Sequence, residues 1–354
     1  MGSRSMSDDL EPIAPAEAVE MYIEARQDDC TENTIEGQYY RLQAFLAWCD
    51  EEDITNLNEL DGRDLYAYRV WRREGGYSDT ELAGATLRGD LATLRAFLRF
   101  CGEVEAVPPE FFDRVPLPSV SGGADVSAST LDPDRAQAIL EYLQQFEYAS
   151  KRHVIVLLLW HAGCRVGALR ALDVDDLDLA GDRPNATGPG IKFVHRPDEG
   201  TPLKNKRKSE RWNTISEGVA NVIEDYIASR RTEAEDDYGR RPLISTRYGR
   251  MSRSAIRQEL YRVTRPCWYN DGCPHDRDPD ECEATDDGSM SKCPSSRSPH
   301  DVRSGRLTFY RLREVDEKVV SDRMDASEEI LDKHYDRRSE RQKAEQRRSH
   351  LPDV

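Results

Sequence analysis

Two apolar stripes of one rhythm commit the first third of this 354-residue chain to helices. Ile35, Tyr39, Leu42, Leu46 and Cys49 recur at spacings of four and three, and Leu87, Leu91, Leu94, Leu98 and Cys101 repeat the series. Side chains three and four apart share one face of an α-helix, so each series marks one buried stripe and is incompatible with a strand. Two further helical patterns, Pro15–Arg26 and Leu60–Arg73, complete a four-helix unit joined by short polar turns.

This unit spans residues 15–106, preceded by a polar tail at 1–14. A Pro/Gly/Ser-rich stretch at 107–130, with Pro108-Pro109 and Ser121-Gly122-Gly123, reads as a linker. The remainder, 131–354, forms a second, mainly helical domain. Asp132-Pro133 supplies an N-cap and a first-turn proline. An apolar helix follows from about Arg152 to Ala171, and Ser216 and Ser252 head two more. Ile191, Phe193 and His195 alternate ahead of Arg211–Ile215, which predicts a hairpin within a small sheet. The longest apolar run, Val154–Trp160, is far too short to cross a bilayer. The expectation is a cytoplasmic protein with no membrane partner.

The formal net charge of −17 argues against a nucleic-acid partner only if it is uniform. It is not: residues 1–60 hold fifteen acids and three bases, whereas Thr201–Arg211 holds five bases and one acid. Only nine of the fifty basic residues are lysines, and none precedes Lys151. Abundant acid with scarce lysine suggests a surface suited to a high-salt cytoplasm, an acidic mesophilic surface being the alternative.

Near the C-terminus, Pro299-His300-Asp301-Val302-Arg303 places two phosphate-binding donors one helical turn apart. His334-Tyr335-Asp336 follows about thirty residues later. Upstream lies Gly163-Cys164-Arg165-Val166-Gly167-Ala168-Leu169, followed by Leu172-Asp173-Val174-Asp175-Asp176-Leu177-Asp178. In order and spacing these boxes resemble those of the tyrosine recombinases, the phage-type integrases and Xer-like enzymes. That family reads roughly Thr-Gly-x-Arg-x-x-Glu-Leu, then a hairpin lysine, a His-x-x-Arg box and a tyrosine. The wording of the last boxes is closest to haloarchaeal integrases.

The resemblance implies an N-terminal SAM-like core-binding domain and a C-terminal catalytic domain of the DNA breaking-rejoining fold, together clamping double-stranded DNA. It also implies self-association as a dimer or tetramer on DNA. Tyr335 would attack the scissile phosphate to form a 3′-phosphotyrosine, with no catalytic cofactor. Arg165 and Arg303 would hold the non-bridging oxygens, a task suited to the planar guanidinium fork. His300 would act as donor or general base. Lys204, with Lys206 as alternate, would protonate the 5′-leaving oxygen. Two positions depart from the pattern. Ala168 stands where an acid is usual, and Ala326 stands where a His or Trp, typically after Gly, donates to the phosphate. Ser327 or His334 are candidate substitutes. A DNA-binding protein that keeps the fold but has lost efficient catalysis is the alternative reading.

Cys267, Cys273, Cys282 and Cys293 fall within twenty-seven residues, separated by five, eight and ten others. In a cytoplasmic protein such clustering suggests a structural Zn²⁺ holding a cysteine-rich insertion at 267–293, with His275 as a further candidate ligand. Free thiols are the alternative.

Overall fold

A computed structural model describes residues 10–118, 129–270 and 272–327, with single positions at 341 and 348. The chain divides into two compact units, 1–127 and 128–354.

The first unit is built from α1 (Pro15–Ala25), α2 (Glu32–Glu51), α3 (Gly62–Arg73) and α4 (Gly84–Glu103). Pro15 occupies the first turn of α1. Asp61 caps α3 through a reciprocal box with Asp64, satisfying amides that the first turn leaves open. All five stripe residues of α4 are buried. On α2 the face is turned from its expected position: Tyr39 is 48% exposed, and the core side chains are Leu42, Phe45, Trp48 and Cys49. Aromatic packing sets that rotation. Tyr68 of α3 meets both Phe45 and Trp48 with ring centroids 5.5 Å apart, and Phe97 of α4 closes on Phe45 at 6.0 Å. Arg72 donates to Asp90 at 3.0 Å, tying α3 to α4 through a buried pair.

The expected linker differs at its start. Val107, Phe111 and Val115 belong to the first unit's core. Only later positions, 119–128, lie outside the described residues. Likewise Ile13, placed in the tail, packs on this core, and its carbonyl accepts from Leu57.

The second unit centres on α6 (Lys151–Ala162), whose Val154, Ile155, Leu158 and Leu159 are fully buried. α5 (Pro133–Phe146) packs on it, capped by Asp132 as expected. The long helix expected to Ala171 is instead two. Gly163 takes the left-handed conformation (φ 60°) and closes α6, and α7 begins afresh at Val166–Ala171 with Arg165 as its N-cap. β1 (Leu177–Asp178), β2 (Gly190–Phe193) and β3 (Arg211–Thr214) form an antiparallel sheet. In the β2–β3 hairpin Ile191 faces Asn213 and Phe193 faces Arg211. α8 (Glu217–Ser229) covers α6, and β4 (Ser245–Thr246) pairs with β5 (Gly249–Arg250). α9 (Arg253–Val263), α10 (Pro266–Tyr269), α11 (Pro299–Leu312) and α12 (Glu317–Met324) follow.

Helix α11 lies hard against the start of the domain. A Cβ on Gly305 would sit 1.9 Å from the Leu131 carbonyl oxygen, so no side chain fits there. Leu131 in turn donates its amide to the Asp301 carbonyl at 3.0 Å.

Candidate active site

Three guanidinium groups converge on the C-terminal end of α12. That end presents carbonyls with no helical partner and the negative pole of the helix dipole. Arg211 of β3 donates Nε to the Arg323 carbonyl at 3.0 Å. Arg303 of α11 donates Nη1 to the Met324 carbonyl and to Gly163 O at 2.7 Å. Arg165 donates Nη1 to the Asp325 carbonyl at 2.8 Å. Three consecutive carbonyls thus gather three arginines from three separate elements.

Local chemistry aims each one. Gly163 ends α6 so that Arg165 leaves the helix as the next N-cap, its side chain 29% exposed. Ser298 and Asp301 form a capping box that, with Pro299 in the first turn, starts α11 one residue before His300. His300 is exposed at that N-terminus, while Arg303, one turn on, is only 2% exposed. Arg323 anchors α12 by donating to Tyr310 Oη at 2.9 Å and to Thr214 O at 2.9 Å.

The centre of the cluster holds a carboxylate. Asp325 follows α12 in the left-handed region (φ 55°), a conformation Asp tolerates better than most residues. Its Oδ2 accepts from Arg165 Nη1 at 2.5 Å and from Ser209 Oγ at 2.7 Å, and its Oδ1 from Asn205 Nδ2 at 3.0 Å. Asn205 and Ser209 belong to the β2–β3 connection, so this one side chain joins the first arginine box to the lysine-bearing loop. Lys204 and Lys206 flank Asn205, both exposed. Beside them a cavity of about 330 Å³ is lined by residues including Asn205, Lys208, Arg211, Asp325, Ala326 and Ser327.

Arg165, Arg303 and the Lys204 loop are therefore brought together, with His300 on the helix that carries Arg303. Tyr335 and His334 lie outside the described residues. Two members of the cluster were not singled out from sequence. Asp325 had a signal, an acid at the position where the resemblance has glycine. Arg211 had only its place in the hairpin.

The four clustered cysteines do not form the expected metal site. They are free thiols, and among the described residues no group of three or more His, Cys, Asp or Glu could hold a metal ion. Burial pushes the Cys267 thiol up from its ordinary value, with Arg265 opposing and Cys273 and Cys293 adding to the rise. His275 bonds Ser295 Oγ at 2.9 Å. Other contacts pin the insertion: Ala284 and Met290 are buried, Arg265 donates to the Ala284 carbonyl, and Arg262 pairs with Asp287 at 2.5 Å.

Residues 20–102 match the family model described as the phage integrase N-terminal SAM-like domain. Tyrosine recombinase XerC of Pseudomonas syringae pv. syringae is 25% identical over 161 residues, 45% of this chain and 51% of that protein. XerC of Azotobacter vinelandii is 27% identical over 177 residues. Over these stretches the chain is similar to the tyrosine recombinases, or phage integrases. It spans about half the length of the curated tyrosine recombinases it matches. The integrase fold extends over nearly the whole chain. The Tn1549 transposon integrase in complex with transposon right end DNA superposes with a TM-score of 0.64 at 15% identity, covering 96% of this chain and 99% of that one. A lambda integrase dimer bound to a COC′ core site gives 0.60 at 11% identity, covering 95% and 80%. Among the described residues, no helix is long and apolar enough to cross a membrane.

Proposed function

We propose that this chain is a tyrosine recombinase that cuts and rejoins duplex DNA at specific sites through a 3′-phosphotyrosine intermediate. The observation that carries the reading is the convergence of Arg165, Arg303 and the lysine loop on one small centre at the end of α12. A phosphorane carries extra negative charge on its non-bridging oxygens, and prealigned guanidinium donors stabilise it without reorganising. Tyr335 Oη attacks phosphorus and the bond to the 5′ oxygen breaks. His300 takes the phenol proton or donates to a phosphate oxygen, and Lys204, or Lys206 in its place, protonates the departing 5′ oxygen. One phosphodiester is exchanged for another, so the 5′-hydroxyl can reverse the step with no high-energy cofactor. The DNA complexes of the Tn1549 integrase and the lambda integrase dimer support duplex DNA as partner and self-association on it. Scarce lysine and surplus acid support a high-salt cytoplasm as the working compartment.

The test uses a nicked duplex carrying the sequence that the protein selects from a random library. The expected product is a covalent complex whose DNA-linked peptide contains Tyr335. Binding to the selected duplex with no covalent complex overturns the reading.

Asp325 holds the place an incoming phosphate needs, because its carboxylate accepts the hydrogen bond from Arg165 Nη1. Asp325→Gly removes that competitor and suits the positive φ. A charge-assisted hydrogen bond is worth about 1.5–3 kcal/mol, or roughly ten- to a hundredfold in affinity. Binding of the selected duplex is expected to tighten within that range, read by titration at fixed salt. Weaker binding would assign Asp325 to ordering the lysine loop instead.

A further inference from the structure

Ala326 leaves the candidate site one donor short. Its methyl group is buried, 6% exposed, and offers nothing to a phosphate oxygen. A neighbouring side chain placed to make up the deficit comes from a different element. Arg211 lines the 330 Å³ cavity together with Ala326. Its Nε and Nη1 are committed to the fold, at 3.0 Å to the Arg323 carbonyl and 2.8 Å to Ser209 O. Its guanidinium carbon lies 4.3 Å from the centre of the Phe193 ring, its partner across the hairpin. Nη2 makes no hydrogen bond among the described residues. Burial lowers the affinity of this group for its proton; Asp325 counters the shift, and Arg303 and Arg165 reinforce it, which places all four in one electrostatic field. Arginine stays charged in such a setting.

We propose that Arg211 is a catalytic residue of this chain, supplying through its guanidinium the phosphate donor that Ala326 lacks. The inference rests on the recombinase reading. The stacked, doubly hydrogen-bonded guanidinium is held before DNA arrives, as an oxyanion donor must be to act without reorganisation. The cavity left by the small side chain at 326 gives a phosphoryl oxygen access to it. A His or Trp at 326 would fill that space and make the third arginine redundant.

The experiment measures single-turnover adduct formation on the selected nicked duplex, alongside affinity for it. Arg211→Met keeps a stem over Phe193 and deletes the donors. Its adduct rate is expected to fall about 100- to 1,000-fold, the usual effect of losing one oxyanion donor, a larger loss than the one in affinity. Adding Ala326→His to Arg211→Met should recover most of that rate, while Ala326→His alone changes it little. If Arg211→Met does not fold, Arg211→Lys, which keeps the charge without the fork, is measured in the same pair of backgrounds. A variant at 211 as fast as the wild type overturns the assignment, and so does a loss that Ala326→His leaves unrepaired. A wild-type chain that binds the duplex and forms no adduct overturns the recombinase reading and this inference with it.

Discussion

Arg165→Ala is expected to slow adduct formation by about 100- to 1,000-fold while leaving the fold intact. The two halves of that expectation have separate causes. Arg165 is an N-cap with 29% of its side chain exposed, so truncation opens no core cavity. Asp325 keeps its bonds to Ser209 and Asn205 when Arg165 is gone, and its carboxylate is not stranded. The lost donor is not replaced by Nη1 of Arg303, which is engaged by two backbone carbonyls. Arg165→Lys restores the charge without the planar fork and should fall between wild type and alanine. Single-turnover kinetics with a melting curve on each variant decides the matter. An alanine variant within a few-fold of wild type would remove Arg165 from the chemistry. Arg303 is the wrong residue for this test, because at 2% exposure its truncation leaves buried carbonyls unpaired.

How much of this was legible depends on whether a residue's partners are near it in sequence. The α4 stripe was, because a helix buried along one face repeats a simple period, and all five of its residues are buried. The same period on α2 misplaced Tyr39 and passed over Phe45 and Trp48. Its core face is set by rings arriving from α3 and α4, which no local pattern records. Caps at Asp132 and Ser216 were readable since a side chain and the amides it satisfies lie within three residues. Gly163 shows the limit of that logic. Its left-handed φ splits the expected long helix and thereby frees Arg165, yet glycine inside an apolar run is also compatible with a continuous helix. Arg165, Arg303 and the lysine loop were legible through ordered motifs. Asp325 and Arg211 became so only when Asp325 was seen joining Arg165 to Asn205 and Ser209, contacts across more than a hundred residues. For the cysteines, proximity in sequence was not enough: among the described residues no group of three or more His, Cys, Asp or Glu could hold a metal ion.

Arg250→Met is expected to destabilise the second unit by about 3–5 kcal/mol, the cost of breaking a buried ion pair from one side. Arg250 is 4% exposed and binds two carboxylates, Asp173 at 4% and Asp236 at 8%. Arg240 and Arg196 also reach Asp173, each at 3.5 Å, but neither replaces the direct hydrogen bond from Arg250. The variant therefore leaves Asp173 without its direct guanidinium hydrogen bond and Asp236 with Arg240, at 2.9 Å, as its remaining guanidinium partner, a loss the methionine stem cannot offset. Because the pairs are enclosed, added KCl should not erase the loss, whereas ion atmosphere acts on exposed charges. The exposed pair Arg241–Asp175, 2.6 Å apart at the edge of the same segment, is the control, and Arg241→Ala should leave the urea midpoint in place. The network also bears on the site. Arg250 Nη1 donates to the Arg170 carbonyl at 2.7 Å, at the far end of the helix that Arg165 caps. Loss of Arg250 should thus lower the urea midpoint and, in protein that remains folded, loosen the helix that positions Arg165. A midpoint unchanged in both low and high salt would mean that water replaces Arg250 at Asp173 and Asp236, and that these carboxylates are less enclosed than their exposure indicates.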